Sequence, residues 1–217
     1  MFGHDIITIG ASAGGVEALA ALVRRMPSDL PAAVFVVLHI PADVPSYLPT
    51  ILDRAGPLIS RPALDGETIT PGRIYVAPPN RHLLVENGVT RVVFGRSENR
   101  HRPAVDPLMR SAAIAYGPRV VGIVLSGTDG DGTAGLRAIK RRGGITVVQD
   151  PAKALFSGMP ESALAYVDVD HVLPVSEIAG LLATLAQSPA EADDLYPVPE
   201  ELILEQRQMT DEPGPRI

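Results

Sequence analysis

Hydrophobic positions along this chain follow two rhythms. Short unbroken β-branched runs alternate with stretches whose apolar residues recur every three or four positions, which is how parallel α/β sheets are written. Asp5 to Ile9 (DIITI) reads as a strand and Gly10 to Gly15 (GASAGG) as a turn. Val16, Leu19, Ala20, Val23 and Met26 then recur at helical spacing, and Pro27 and Pro31 bracket the exit. Val34 to Leu38 is a continuous apolar strand of the kind buried on both faces, with His39 at its C-terminal end. These elements make a βαβ unit with short connections.

The middle of the chain changes character. Arg73 to Ala77 and His82 to Phe94 read as short strands, and Asn87-Gly88 between LLVE and VTRVVF signals a hairpin, expected at the sheet edge over Leu83 to Phe94. A loop from Gly95 to Pro103 carries Arg96, Arg100, His101 and Arg102, and Val105 to Tyr116 reads as a helix. The parallel rhythm returns with Val120 to Leu125 (VVGIVL), the loop Ser126 to Gly132, a helix over Thr133 to Arg142 stopped by Gly143-Gly144, and a strand over Ile145 to Gln149. Gly158-Met159-Pro160 opens a helix to about Tyr166, and Glu177 to Ala186 reads as a last helix. From Ser188 onward Pro, Glu and Asp dominate, so the expectation is one domain over residues 1–187 and a loosely packed, flexible acidic tail over 188–217. No internal repeat is visible.

Composition narrows the function classes. With 46% hydrophobic residues in 217, the chain can bury a sizeable core. A net charge of -6 argues against nucleic acid as the main partner, because phosphate binding needs a basic face. The absence of cysteine excludes disulfides, thiolate metal sites and cysteine nucleophiles. The longest apolar run, Ala32 to Leu38, falls far short of the roughly 20 residues that span a bilayer. Asp5 stands where a signal peptide would be basic, so the expectation is a cytoplasmic protein with no membrane insertion.

Gly10-x-Ser12-x-Gly14 follows a strand and opens a helix, the pattern of a nucleophile elbow. Such turns also cradle phosphates or merely cap helices, but the spacing is neither that of a dinucleotide fingerprint nor that of a P-loop. His39 raises its value, because the ends of neighbouring parallel strands bring a hydroxyl and an imidazole within reach. A third group is expected from the loop after Val120 to Leu125, where Asp129 and Asp131 are both candidates and spacing does not choose between them. Ser12, His39 and this loop lie where open α/β sheets keep their sites. The basic run Arg100 to Arg102 either lines a substrate entrance or is solvated. His4, His82 and His171 show no metal-ligand spacing, and Arg24-Arg25 and Arg141-Arg142 read as solvated helix-end charges.

The segments Ile9 to Gly15, Val37 to Ile40, Tyr75 to Pro78 with Asn80 to His82, Asn99 to Asp106, Leu125 to Gly132 and Gly158 to Pro160 occur in this order. Together, over about Ile6 to Ala186, they resemble the catalytic domain of CheB-type protein-glutamate methylesterases. The resemblance implies a doubly wound, mostly parallel sheet in three αβα layers with the hairpin as an edge addition. It also implies a serine hydrolase with Ser12 as nucleophile, His39 as base and Asp131, not Asp129, as third member. The implied substrate is a γ-glutamyl methyl ester of a methyl-accepting chemoreceptor, with glutamine deamidation at such sites in some relatives, and no metal or organic cofactor. Thr128 departs from the methionine usual in the family. The family's receiver domain is not present ahead of the first strand, which implies different regulation, a receiver on a separate chain, or a fragment of a longer protein. The rival readings are an esterase of the same machinery acting on a different ester, and a non-catalytic scaffold.

Overall fold

The computed structural model describes residues 3–210. Among them a parallel sheet of seven strands runs in the order β3-β4-β2-β1-β7-β8-β9. Its members are β1 (Ile6–Ala11), β2 (Ala33–Leu38), β3 (Ile59–Pro62), β4 (Arg73–Val76), β7 (Val120–Val124), β8 (Ile145–Gln149) and β9 (His171–Leu173). The central strands β1, β2 and β7 are buried at every position, as their unbroken apolar runs require.

Helices cover both faces, and alternate residues of each strand feed two separate cores. Ile7, Ile9, Val34 and Val36 pack with α1 (Gly15–Val23), α2 (Leu48–Ala55) and α6 (Val175–Gln187). Ile6, Phe35 and Val37 face the other way, toward α3 (Val105–Tyr116), α4 (Thr133–Arg141) and α5 (Gly158–Tyr166). The chain is therefore a doubly wound three-layer α/β protein. Strand order reverses direction between β1 and β7, the switch point that leaves a crevice at the carboxyl ends of the strands.

The Asn87-Gly88 hairpin forms as expected from β5 (His82–Glu86) and β6 (Val89–Val93), with Gly88 at φ 83. Its two strands do not extend the edge of the main sheet, the expected place, but make a sheet of their own and pack on α3, where Ser111 Oγ accepts the Val85 N–H at 2.9 Å. Residues after Ser188, expected as a loose tail, include α7 (Glu200–Thr210), whose Leu202 is 6% exposed in the second core. Asp193 of the same stretch takes the guanidinium of Arg142, which also donates to the Ala113 carbonyl. Arg142 is thus buried and paired, not solvated as its sequence neighbourhood suggests, because the tail covers it. Residues 211–217 of the acidic stretch lie outside the described residues. No described helix is long and apolar enough to cross a membrane.

Candidate active site

The β1–β2 register ends on the pair Ala11 and Leu38, so Ser12 and His39 are the next residues out on neighbouring strands. The His39 N–H donates to the Ala11 carbonyl at 3.1 Å, and the Ser12 N–H donates to the Ser126 carbonyl at 2.9 Å, tying the elbow to the end of β7. Gly14 takes φ 70, a left-handed turn that a side chain disfavours, and this lets the Gly15 N–H return to the Ser12 carbonyl at 2.9 Å. Ser126 braces the same turn, its Oγ donating to the Ala13 carbonyl at 2.7 Å. Ser12 and His39 line one cavity of about 450 Å³, together with Asn80, Arg100, His101 and Arg102. The basic run thus borders the cavity. A cavity of about 490 Å³ between the hairpin, α3 and α7 has no histidine in its wall.

Asp131 reaches His39 directly, with its Oδ2 2.7 Å from the ring Nε2. Its own N–H donates to Asp129 Oδ1 at 3.2 Å, while its carboxylate accepts every other hydrogen bond it makes. The Val105 N–H donates at 2.6 Å, the Asp106 N–H at 3.1 Å, the Gly132 N–H at 3.0 Å and the Asn99 amide at 2.7 Å. Two of these donors open α3, so the carboxylate sits on a helix N-terminus. Burial works against its charge, but the His39 hydrogen bond, the Val105 N–H and the Asn99 amide hold its carboxyl below the usual range.

Asp106 mirrors this arrangement. It lies in the first turn of α3 and accepts the Gly132 and Gly135 N–H groups, at 3.0 and 2.6 Å, from the start of α4. Each carboxylate thus serves the other's helix, and Asn99 bridges them, donating to Asp106 at 2.8 Å as well as to Asp131. Burial first, and then the Asp131 charge, push the Asp106 carboxyl up to about 7, against the Gly135 and Asn99 bonds. A carboxyl raised on folding holds a proton that the unfolded chain has released. Its contribution to stability therefore declines as pH rises from about 4 to 7, by at most about 1.4 kcal/mol per pH unit. Asp106→Asn should remove that part of the slope. Denaturant titrations of both proteins from pH 5 to 8 read it, and parallel curves would show that Asp106 does not titrate there.

His101 and Asp129 form a second layer. The His101 ring stacks on His39 with centroids 3.5 Å apart, and its Nε2 lies 2.6 Å from Asp129 Oδ2. Asp129 comes only to 3.5 Å from His39 Nδ1. Among the described residues Ser12 Oγ makes no hydrogen bond, and the N–H groups of Ala13, Gly14 and Thr128 donate to nothing. His82, by contrast, is fully buried and uses both ring nitrogens, on the Arg96 carbonyl and the Ala104 N–H, so it is a structural residue.

The loop also explains a glycine. A Cβ at Gly127 would fall 2.9 Å from Ser12 Cβ and closer still to Met159 Sδ, and Met159 is fully buried. Gly127→Ala should cost about 2 kcal/mol through overpacking, a fall in Tm of about 4–8 °C. A thermal melt checks this, and an unchanged Tm would mean that Met159 moves aside freely.

The CheB methylesterase family model matches residues 7–182 of the chain. The chain belongs to the CheB methylesterase family. A crystal structure of the Thermotoga maritima CheB methylesterase catalytic domain superposes with a TM-score of 0.80 at 33% identity, covering 83% of this chain and 98% of that one. Protein-glutamate methylesterase/protein-glutamine glutaminase 2 of Anaeromyxobacter dehalogenans is 41% identical over 183 residues, 84% of this chain and 54% of the relative. A Leptospira interrogans protein whose name carries the same two activities provisionally is 36% identical over 189 residues, 87% of this chain and 98% of the relative. The chain therefore spans about half the length of the Anaeromyxobacter relative and nearly all of the Leptospira one.

The CheB methylesterase match stops at residue 182, so α7 and its contacts with α3 lie beyond it. Asn99 and Asp106 fall inside one of the segments that carried the resemblance, but their roles were not legible there. An acidic residue in a first helical turn is explained locally by the helix dipole. Only the fold shows that it also receives the N-terminus of α4.

Proposed function

We propose that this chain is a serine hydrolase that removes methyl groups from γ-glutamyl methyl esters of methylated chemoreceptors in the cytoplasm. The observation that carries the reading is the His39–Asp131 hydrogen bond at a strand end whose neighbour ends in Ser12, all at the sheet's switch point. With Nε2–H donated to Asp131, His39 keeps the Nδ1 lone pair for the serine proton. Ser12 Oγ attacks the ester carbonyl carbon while His39 takes its proton. The oxyanion that forms is held by amides not already engaged, those of Ala13, Gly14 and Thr128. A side chain at position 128 supplies no part of that bond, which makes threonine an acceptable substitute for methionine. His39 then protonates the departing methoxide, methanol leaves, and water attacks the acyl-serine to release glutamate and restore Ser12.

The same acyl chemistry releases ammonia from a glutamine side chain, and the double name of the Anaeromyxobacter relative favours testing it beside ester cleavage. A receiver domain, supplied by another chain or by a longer form of this one, would regulate access. Methanol release from a methylated receptor fragment, compared with release from a small aliphatic methyl ester, tests the reading. Turnover of the receptor fragment is expected. Turnover of the small ester alone would replace the chemoreceptor with a different ester.

A further inference from the structure

We propose that His39, His101 and Asp129 form a binding site for a divalent transition-metal ion of zinc-like chemistry, and that the bound ion inhibits the enzyme. The binding stands on geometry alone, whereas the inhibition rests on the reading of His39 as the base.

Each of the three residues offers one ligand atom, and these atoms lie within 4.8 Å of one another. His101 Nε2 and His39 Nδ1 stand 2.6 and 3.5 Å from the same oxygen, Asp129 Oδ2. The deciding feature is His39 Nδ1, which is buried and has no hydrogen-bond partner on a side chain only 4% exposed. With Nε2–H given to Asp131, Nδ1 is left as an unpartnered lone pair 3.5 Å from Asp129 Oδ2, an oxygen that already pairs with His101 Nε2. A cation would give Nδ1 a partner and draw His101 and Asp129 onto the same centre.

The far side of the His39 ring is already arranged for this. Metal-ligating histidines donate their other ring N–H to a carboxylate, which fixes the ring and raises its basicity, and Asp131 does so here at 2.7 Å. Ligand atoms about 2.0–2.2 Å from a tetrahedral zinc ion are separated from one another by roughly 3.3 Å; the two separations from Asp129 Oδ2 are 2.6 and 3.5 Å, and all three atoms lie within 4.8 Å of one another. Stacked rings cannot both aim in-plane lone pairs at one point, so His101 must tilt. Its side chain is 29% exposed, on a loop at the cavity wall, and has room to do so. Three protein ligands leave a fourth position for water. Arg100 at the rim opposes a cation, while Asp129 and the buried Asp131 carboxylate favour it.

Nothing in the spacing of histidines along the chain signals such a site, because its ligands come from the end of β2, the loop before α3 and the loop after β7. The expected effect on the reaction is inhibition, since the ion occupies the one His39 nitrogen left to receive the serine proton.

The test uses the full chain, stripped with chelator and titrated with zinc or cobalt(II). One ion should bind per chain, and cobalt should show the visible absorption of a four-coordinate nitrogen–oxygen site. Zinc at a hundredfold excess over Kd should raise Tm by about 5–10 °C, and magnesium at the same concentration should not, because two imidazoles suit zinc and not a hard cation. His101→Ala and Asp129→Asn, each checked for folding by its own melt, should weaken binding at least about tenfold. In wild type, ester hydrolysis should fall as zinc binds. Binding untouched by both substitutions, an equal response to magnesium, or hydrolysis that rises with zinc would each overturn the proposal. These arms separate it from the esterase reading: a chain that hydrolyses nothing still reports the cobalt spectrum and its loss in His101→Ala. A chain that binds no metal still reports its ester turnover.

Discussion

Ser12→Ala should abolish methyl ester hydrolysis, by about 10⁴- to 10⁶-fold in kcat, and leave stability unchanged. Both halves follow from the same geometry. The hydroxyl would be the atom that bonds to the substrate carbonyl, and what remains without it is binding and the oxyanion amides. Yet Ser12 is half-buried at a cavity wall and its Oγ makes no hydrogen bond among the described residues, so its removal orphans nothing. The backbone bonds that hold the elbow, from Ser12 and Gly15, do not involve the side chain. Methanol release and a thermal melt on the same preparation read the two effects. A variant that kept a tenth of wild-type turnover would remove Ser12 from the reaction, and one that lost activity together with several degrees of Tm would leave the loss open to a folding explanation.

Asp131→Asn should do the opposite in one respect, losing both activity and stability. The five groups around the carboxylate are His39 Nε2, the N–H groups of Val105, Asp106 and Gly132, and the Asn99 amide, and all are donors in this arrangement. An asparagine must turn its own NH₂ toward at least one of them. Each buried donor left facing another costs about 1–3 kcal/mol, offset in part because Asp106 no longer faces a second charge. A net loss of about 2 kcal/mol is expected. Turnover should fall by about 10⁴-fold, because a histidine deprived of its carboxylate loses both its tautomer and the partner of its imidazolium. Denaturant unfolding with hydrolysis on the same samples checks it. A stable Asp131→Asn protein with near-normal turnover would shift the role to Asp129, the other carboxylate beside the His39 ring.

The contrast between these variants reflects what the sequence could and could not convey. Strands β1, β2 and β7 were legible because burial on both faces writes an unbroken apolar run. Strand β3 was not: Ile59, Arg61 and Pro62 are exposed and only Ser60 is buried, as befits the sheet edge. Strand β9 has just three residues, none fully buried. Helix α7 was hidden by the acidic, proline-rich composition around it, because its contribution rests on Leu202 and on the pairing of Glu205 with the buried Arg110 guanidinium of α3.

At the site, adjacency of Ser12 and His39 followed from strand order and register, which periodicity can suggest. The choice between Asp129 and Asp131 could not follow from spacing two residues apart. The carboxylate that lands on the α3 N-terminus and 2.7 Å from the His39 ring is that of Asp131, held by the Val105 and Asp106 amides of a distant segment. The Asn99 bridge and the His101 stack were invisible for the same reason.

The most direct test of the account is mass spectrometry of the chain after reaction with a fluorophosphonate, with the adduct mapped to a residue. One phosphonyl group is expected on Ser12, absent from Ser12→Ala and formed at least about 10²-fold more slowly in His39→Gln, where no base takes the serine proton. A stoichiometric adduct on another serine, or methyl ester turnover by a chain whose Ser12 stays unlabelled, would contradict it.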